Sequence, residues 1–476
     1  MADGQDGYTW QIAYVYLFNL IVGAGALTMP QAFAQTGWVL GTVAMAVLAL
    51  MSFCTSTFMI EAMSIGNAMI RLKNQKQQPN VISRTPDDPD DSGNELEPAE
   101  GSPLLINSDE HSSGDLYGID KKVEMGDLAE MFFSKAGLIA YYVVIALYLY
   151  GDLAIYAAAV PKSMTQAICG GGSKLFENGD LPCGNVSSMS VFDMYRITLL
   201  IFVVCLCPFV FFNLAKTKFL QIATTIFRWA AFLCMVSLAV NRVVHKKSTH
   251  RAVIFEFNAL PNFFGVAVYS FMCHHSLPSI ITPVTNKRRI LYVLFGDFVA
   301  VFFFYMLLVT TAVFAFKVDD LKDLYTLSFT DAPDVLKYFL ELFPTFTLST
   351  NFPIIAITLR ENLKNLFLKE NKYYGLFVRR FLFPLAVIIP PIIIAFATDD
   401  VEMLVSITGT YAGAVIQYVV PVMLVFYGRR SVLAKLGNYI NKNRSPFRSQ
   451  GWVYLIVTWY FVCTVFVTVN KFYKFK

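Results

Sequence analysis

The sequence predicts an all-α polytopic membrane protein of about eleven transmembrane helices. Of its 476 residues, 56% are hydrophobic and 15% charged, and the mean hydropathy is +0.52. Soluble chains run at about 45–50% and about 25%. Apolar runs near the ~20 residues that cross a bilayer recur along almost the whole chain. Lys and Arg gather in alternate connections between those runs, as the positive-inside rule requires. This composition excludes soluble enzymes, secreted disulfide scaffolds and nucleic-acid binders, and makes the lipid bilayer the first partner.

Hydropathy places the spans near 11–35, 38–66, 137–160, 195–213, 219–240, 261–284, 291–316, 334–359, 374–397, 401–427 and 451–469. The expected organisation starts with a cytosolic N-terminus (1–10), spans one and two (11–66) and a cytosolic, acidic, largely disordered loop (67–136). Spans three to five (137–240) enclose a non-cytosolic loop at 161–194; spans six to ten fill 261–427, and span eleven follows at 451–470. The cytosolic connections hold Arg71/Lys73/Lys76, Lys287/Arg288/Arg289, Arg360/Lys364, Arg379/Arg380 and Arg429/Arg430/Lys435. Arg242, Lys246, Lys247 and Arg251 fall on the other side, against the trend. No basic n-region or small-residue cleavage site precedes the first run, so it is expected to stay in the mature chain.

The stretch 74–122 is rich in Asp, Glu, Pro, Ser and Asn, with too few apolar residues to fold alone. In it, Glu100 followed by Leu104 and Leu105 resembles the acidic dileucine signal read by clathrin adaptors. An extended segment would offer one charge and two apolar knobs; the bland alternative is an unread stretch of loop. A read signal favours an endosomal or lysosomal membrane, and an unread one leaves the plasma membrane. Most of the eight cysteines lie inside apolar segments as small hydrophobes. Cys169 and Cys183 flank a polar loop, with the sequon at Asn185 just beyond. A disulfide and a glycan there would both put the loop outside the cytosol.

Two spans carry helix breakers at corresponding places. Span one contains Asn19–Pro30, NLIVGAGALTMP, whose Gly23 and Gly25 permit departure from helix and close approach. Pro30 cannot bond to the Ala26 carbonyl and fits best in a first turn, so half-helices are expected to end near Gly23 and restart near Thr28. Thr28 is then either the N-cap or a ligand contact. Span six has Gly265 early and Pro278 late, the latter freeing the carbonyl of His274. Broken helices at the start of each block of five point to an inverted-repeat transporter with a midplane site; packing glycines and proline kinks are the alternative. The N-terminal end of the second half-helix suits a carboxylate, and carbonyls freed near Ala26 and His274 suit an ammonium.

These motifs carry a resemblance. NLIVGAGALTMP is similar to the first-helix signature of the amino acid/auxin permease superfamily, and FMCHHSLPSI resembles its sixth-helix pattern. NFPIIAITLREN (351–362) resembles the eighth helix, and Gly409, Gly413 and Pro421 match the tenth. The opening motif and the long acidic loop after span two resemble one branch whose substrate is poorly defined. The resemblance implies a LeuT-like core of five plus five inverted helices with an eleventh, and secondary transport of amino acids. It also implies site residues: the Gly23, Ala24, Gly25, Ala26 and Leu27 backbone for the carboxylate, and the segment holding Tyr269, Ser270 and His274 for the amino group. Asn19, Ser349 and Thr350 fall where relatives coordinate sodium. The second histidine, His275, departs from the pattern.

A charge in mid-span costs roughly 2.5–3.5 kcal/mol on insertion scales, so each is a candidate. Asp152 in span three is either a proton-binding carboxylate or a structural partner. Arg228 in span five reads as a scaffold, and Asp297 in span seven as its partner or as the wall of a vestibule. His274 either titrates or satisfies the broken backbone. Glu61 and Glu402 read as solvated or snorkelling residues at span ends. The expected function is proton- or sodium-coupled transport of an amino acid or similar zwitterion by alternating access. The alternative is a membrane sensor that binds without transport. No catalytic spacing is present, and no cofactor beyond sodium or a proton is expected.

Overall fold

The computed structural model describes residues 7–77, 116–170, 176, 181–184, 186–211, 218–245, 252–368, 375, 378–436 and 441–474. Glu100, Leu104, Leu105 and Asn185 lie outside them. Among the described residues, nine helices are long and apolar enough to cross a membrane. A tenth crossing is the bent pair Trp10–Ile21 and Gly25–Thr36, at 56°. The eleventh expected span is divided into Leu260–Ser270 and Leu277–Ile281. The chain is thus an all-α polytopic membrane protein, and both expected breaks are present, five spans apart.

Several boundaries need correction. Span two is one helix of 40 residues, Trp38–Gln77, about 60 Å long at 1.5 Å per residue. It therefore reaches well beyond a ~30 Å hydrocarbon core. The expected loop at 67–136 is shortened from both sides, because residues 116–132 fold back on this extension. Tyr117, Ile119, Val123 and Leu128 are buried there, and Met125–Phe132 is a helix. Span three runs Lys135–Cys169 and span four starts at Val191, so the 161–194 loop is shorter than expected. Cys169 and Cys183 are joined by a disulfide. The apolar core lies between spans one, two, three, six, seven, eight and ten. Close approach of spans six and ten needs glycine on both sides, since a Cβ on Gly265 or Gly409 would strike the facing backbone.

Buried ion pairs fasten the two ends. At the N-terminal end, Arg429 of span ten clamps the Glu61 carboxylate with two bonds of 2.8 Å, and the Ser445 amide donates to it at 3.0 Å. At the opposite end, Lys162 of span three reaches Asp323 at 2.7 Å and the Asp399 carbonyl at 2.8 Å. Glu402 is buried and accepts from Asn262. Glu61 and Glu402 are thus paired rather than solvated, because their partners arrive from other spans.

Candidate functional site

The first half-helix ends at Ile21 and the second begins at Gly25, leaving only Val22–Ala24 outside helix. The restart thus falls three residues before Thr28. Thr28 is not the cap: it is buried inside the second half-helix, where its hydroxyl donates to the Gly25 carbonyl at 3.2 Å. Pro30 sits in that helix interior instead of its first turn. Ala26 and Leu27 already donate to the carbonyls of Gly23 and Ala24. The next open donors of the first turn are therefore the Ala24 and Gly25 amides, at the end that favours an anion.

The other lip of the break is occupied by a cation. Arg228 of span five donates to the Asn19 carbonyl at 2.5 Å and to the Val22 carbonyl at 2.9 Å. These oxygens belong to the C-terminal end of the first half-helix, where negative partial charge gathers. Tyr305 of span seven completes the frame. Its hydroxyl lies 3.0 Å from the Ile21 carbonyl and 2.9 Å from that of Ser270, the last residue of each interrupted helix. Gly25 is pressed against Ser270, and a side chain there would collide with it. At Gly23 a Cβ would meet nothing nearer than the Leu20 carbonyl at 3.8 Å.

A cavity of about 710 Å³ opens beside the break, within the range of small-molecule sites. It reaches from mid-membrane toward the N-terminal end, lined by spans one, three, five, six and eight. Asn19, Gly23, Ala24, Gly25, Leu27, Asp152 and Tyr269 line it; Ala26, Thr28, Ser270, His274, Ser349 and Thr350 do not. Span eight instead presents Thr347 and Asn351, and span six presents His275 and Ser276. Asp152 is buried, with Tyr269 as its hydrogen-bonding neighbour and Oδ1 unpartnered. Tyr148 and Tyr156 add two phenol rings to the same wall.

His274 turns away, toward span two. Its Nε2 lies 2.8 Å from the Thr55 hydroxyl and 3.1 Å from that of Ser56. Thr55 already donates its proton to backbone carbonyls, so Nε2–H is assigned as the donor and Nδ1 is left bare. Thus the histidine satisfies its neighbour helix, not the freed backbone. The six-residue break at Phe271–Ser276 has two faces: Cys273 and His274 against span two, His275 and Ser276 on the cavity.

The profile of the family described as "Transmembrane amino acid transporter protein" matches residues 6–77 and 111–468. The chain belongs to that family. Transmembrane protein 104 of Pongo abelii is 46% identical over 478 residues, spanning 97% of this chain and 96% of its own. Transmembrane protein 104 of Homo sapiens is 45% identical with the same coverage. The homolog from Dictyostelium discoideum is 34% identical over 515 residues, at 98% of each chain. Family membership ties this cavity to a transporter fold; it names neither cargo nor driving ion.

Arg228, Tyr305 and His275 are the residues that sequence reasoning under-read. A doubled histidine was a visible signal for His275. For Tyr305 there was none, since one tyrosine in a helix with aromatic neighbours looks like packing.

Proposed function

We propose that this chain is a secondary transporter of amino acids or similar small zwitterions, working by alternating access and driven by protons rather than sodium. The observation that carries the ionic part is Arg228. Its guanidinium already bonds the Asn19 and Val22 carbonyls at the break. A sodium ion brought to the same oxygens would be repelled by the guanidinium already bonded there. Asn19 is therefore read as a backbone anchor for Arg228.

The substrate reading follows from the opposed poles of the cavity. The carboxylate meets the Ala24 and Gly25 amides, where the second half-helix supplies positive partial charge. The ammonium faces the Asp152 carboxylate and the Tyr269 hydroxyl, which line the same cavity. His275 and Tyr148, with ring centroids 5.6 Å apart, form the wall that the substrate side chain meets. The cavity runs toward the N-terminal end while the Lys162 cluster fastens the other, which suits one state of an alternating cycle.

The test is flux in proteoliposomes loaded with labelled amino acids, under imposed proton or sodium gradients. Wild type is expected to respond to the proton gradient alone. Gly23→Val, which fills the open side of the break, is expected to abolish flux with the fold intact. Sodium-driven flux would overturn the ionic part, and ligand-induced thermal stabilisation without flux would establish a sensor instead.

A further inference from the structure

Asp297, two turns into the otherwise apolar helix of span seven (Ile290–Ala315), is an intramembrane carboxylate that the cavity does not use. It is fully buried, and both carboxylate oxygens lack a hydrogen-bond partner. Among the described residues no Lys, Arg or His side chain comes within 4.0 Å of it. An ionised carboxylate so placed would carry an uncompensated desolvation penalty of several kcal/mol. Arg228, a partner suggested for it from sequence, bonds the Asn19 and Val22 carbonyls instead.

Its surroundings are the parts of the molecule that an alternating-access cycle must move. Span one presents Tyr14, whose Cε2 lies 3.8 Å from where a Cβ on Gly296, the residue before Asp297, would stand. The break of span six packs its Phe271 ring against Phe298, the residue after Asp297, at 6.4 Å, and edge-on against Tyr305 at 5.4 Å. Span two packs its Phe53 ring against Phe298 at 5.9 Å, and its Thr55 and Ser56 hydroxyls hold His274 and Cys273. Arg228 of span five faces Tyr305 and Tyr156. Thus the one segment Phe271–Ser276 touches the Asp297 environment through Phe271 and the cavity through His275.

We propose that Asp297 is the proton-carrying group of the transport cycle, in a site separate from the substrate cavity and joined to it through the break of span six. This rests on the transport reading above. In the closed arrangement the carboxyl holds its proton. When span one and the break of span six move, water reaches the group, the O–H bond breaks, and the proton leaves to that compartment as H⁺. Reprotonation from the other compartment restores the neutral acid and permits the return.

The experiment uses the full chain in proteoliposomes with the twenty labelled proteinogenic amino acids as probe. Exchange at uniform pH and accumulation under a pH gradient are read separately. A gradient of about one unit allows about tenfold accumulation for one proton per substrate. Asp297→Asn, fixed in the neutral state, is expected to keep exchange and lose accumulation entirely, and Asp297→Glu is expected to restore it. Accumulation by Asp297→Asn at the wild-type level overturns the proposal, as does exchange without accumulation in Asp297→Glu. Should the Asn variant fail to fold, the Glu variant and wild type carry the test through infrared difference spectra between acidic and alkaline buffer. A carboxylic-acid band that shifts with the added methylene supports Asp297, and an unshifted band overturns it. Absence of exchange in wild type would sink the transport reading alone, because the infrared band still reports on Asp297.

Discussion

The two interrupted spans solve the same problem in different ways. Span one is open for three residues, and its carbonyl lip is closed by side chains from two other spans, Arg228 and Tyr305. Span six is open for six residues, and only its leading carbonyl, at Ser270, has such a partner, again Tyr305. The remainder of that break spreads its side chains over span seven, span two and the cavity. A short, fully braced break is a preformed cradle. A longer one with two faces is a part that transmits a change from one side to the other.

If the first break is rigid because of its braces, removing them has the largest effect. Arg228→Met strands the Asn19 and Val22 carbonyls, at about 1–3 kcal/mol for each buried acceptor left unpaired. A fall in detergent melting temperature and loss of flux are expected, with partial recovery in Arg228→Lys; unchanged stability would mean that the cradle is held by packing alone. Next come the two glycines, which separate packing from binding. Gly25→Val, driven into Ser270, is expected to lower both melting temperature and flux, whereas Gly23→Val lowers flux only. Equal melting temperatures for the two would refute the assignment of Gly25 to the helix contact.

Tyr305→Phe removes one hydroxyl shared by both breaks. A loss of about 1–2 kcal/mol is expected, read as a melting shift with amino acid affinity reduced in parallel. The smallest effects distinguish the faces of span six. His275→Gln should change substrate KM at near-normal stability, and His274→Gln should cost about 1 kcal/mol of stability with KM preserved. The reverse pattern would exchange the two roles.

The fold was legible because bilayer thickness imposes a length on every apolar run, and Gly and Pro announced both breaks within a few residues. Which side chains face the cavity was not. A helix turns about 100° per residue, so Thr347 and Asn351 line the cavity while Ser349 and Thr350, the positions the resemblance marks for sodium, do not. Within a break no periodicity exists to extend, and His274 and His275 are indistinguishable by pattern. Arg228 bonds backbone carbonyls, which have no sequence signature. Glu61 and Arg429 are 368 positions apart, and each alone reads as a residue at a span end.

The Lys162 knot has a consequence for speed. It ties span three to the segments before spans eight and ten, with Lys162 and Asp323 side chains only 8% and 10% exposed. A contact so shielded from mobile ions is screened far less than an exposed one, so added salt loosens it little. Opening it demands the separation of desolvated charges, an enthalpic barrier that heat overcomes and ionic strength does not. On the transport reading proposed above, turnover should therefore climb steeply with temperature, with its slow step on the face away from the N-terminus.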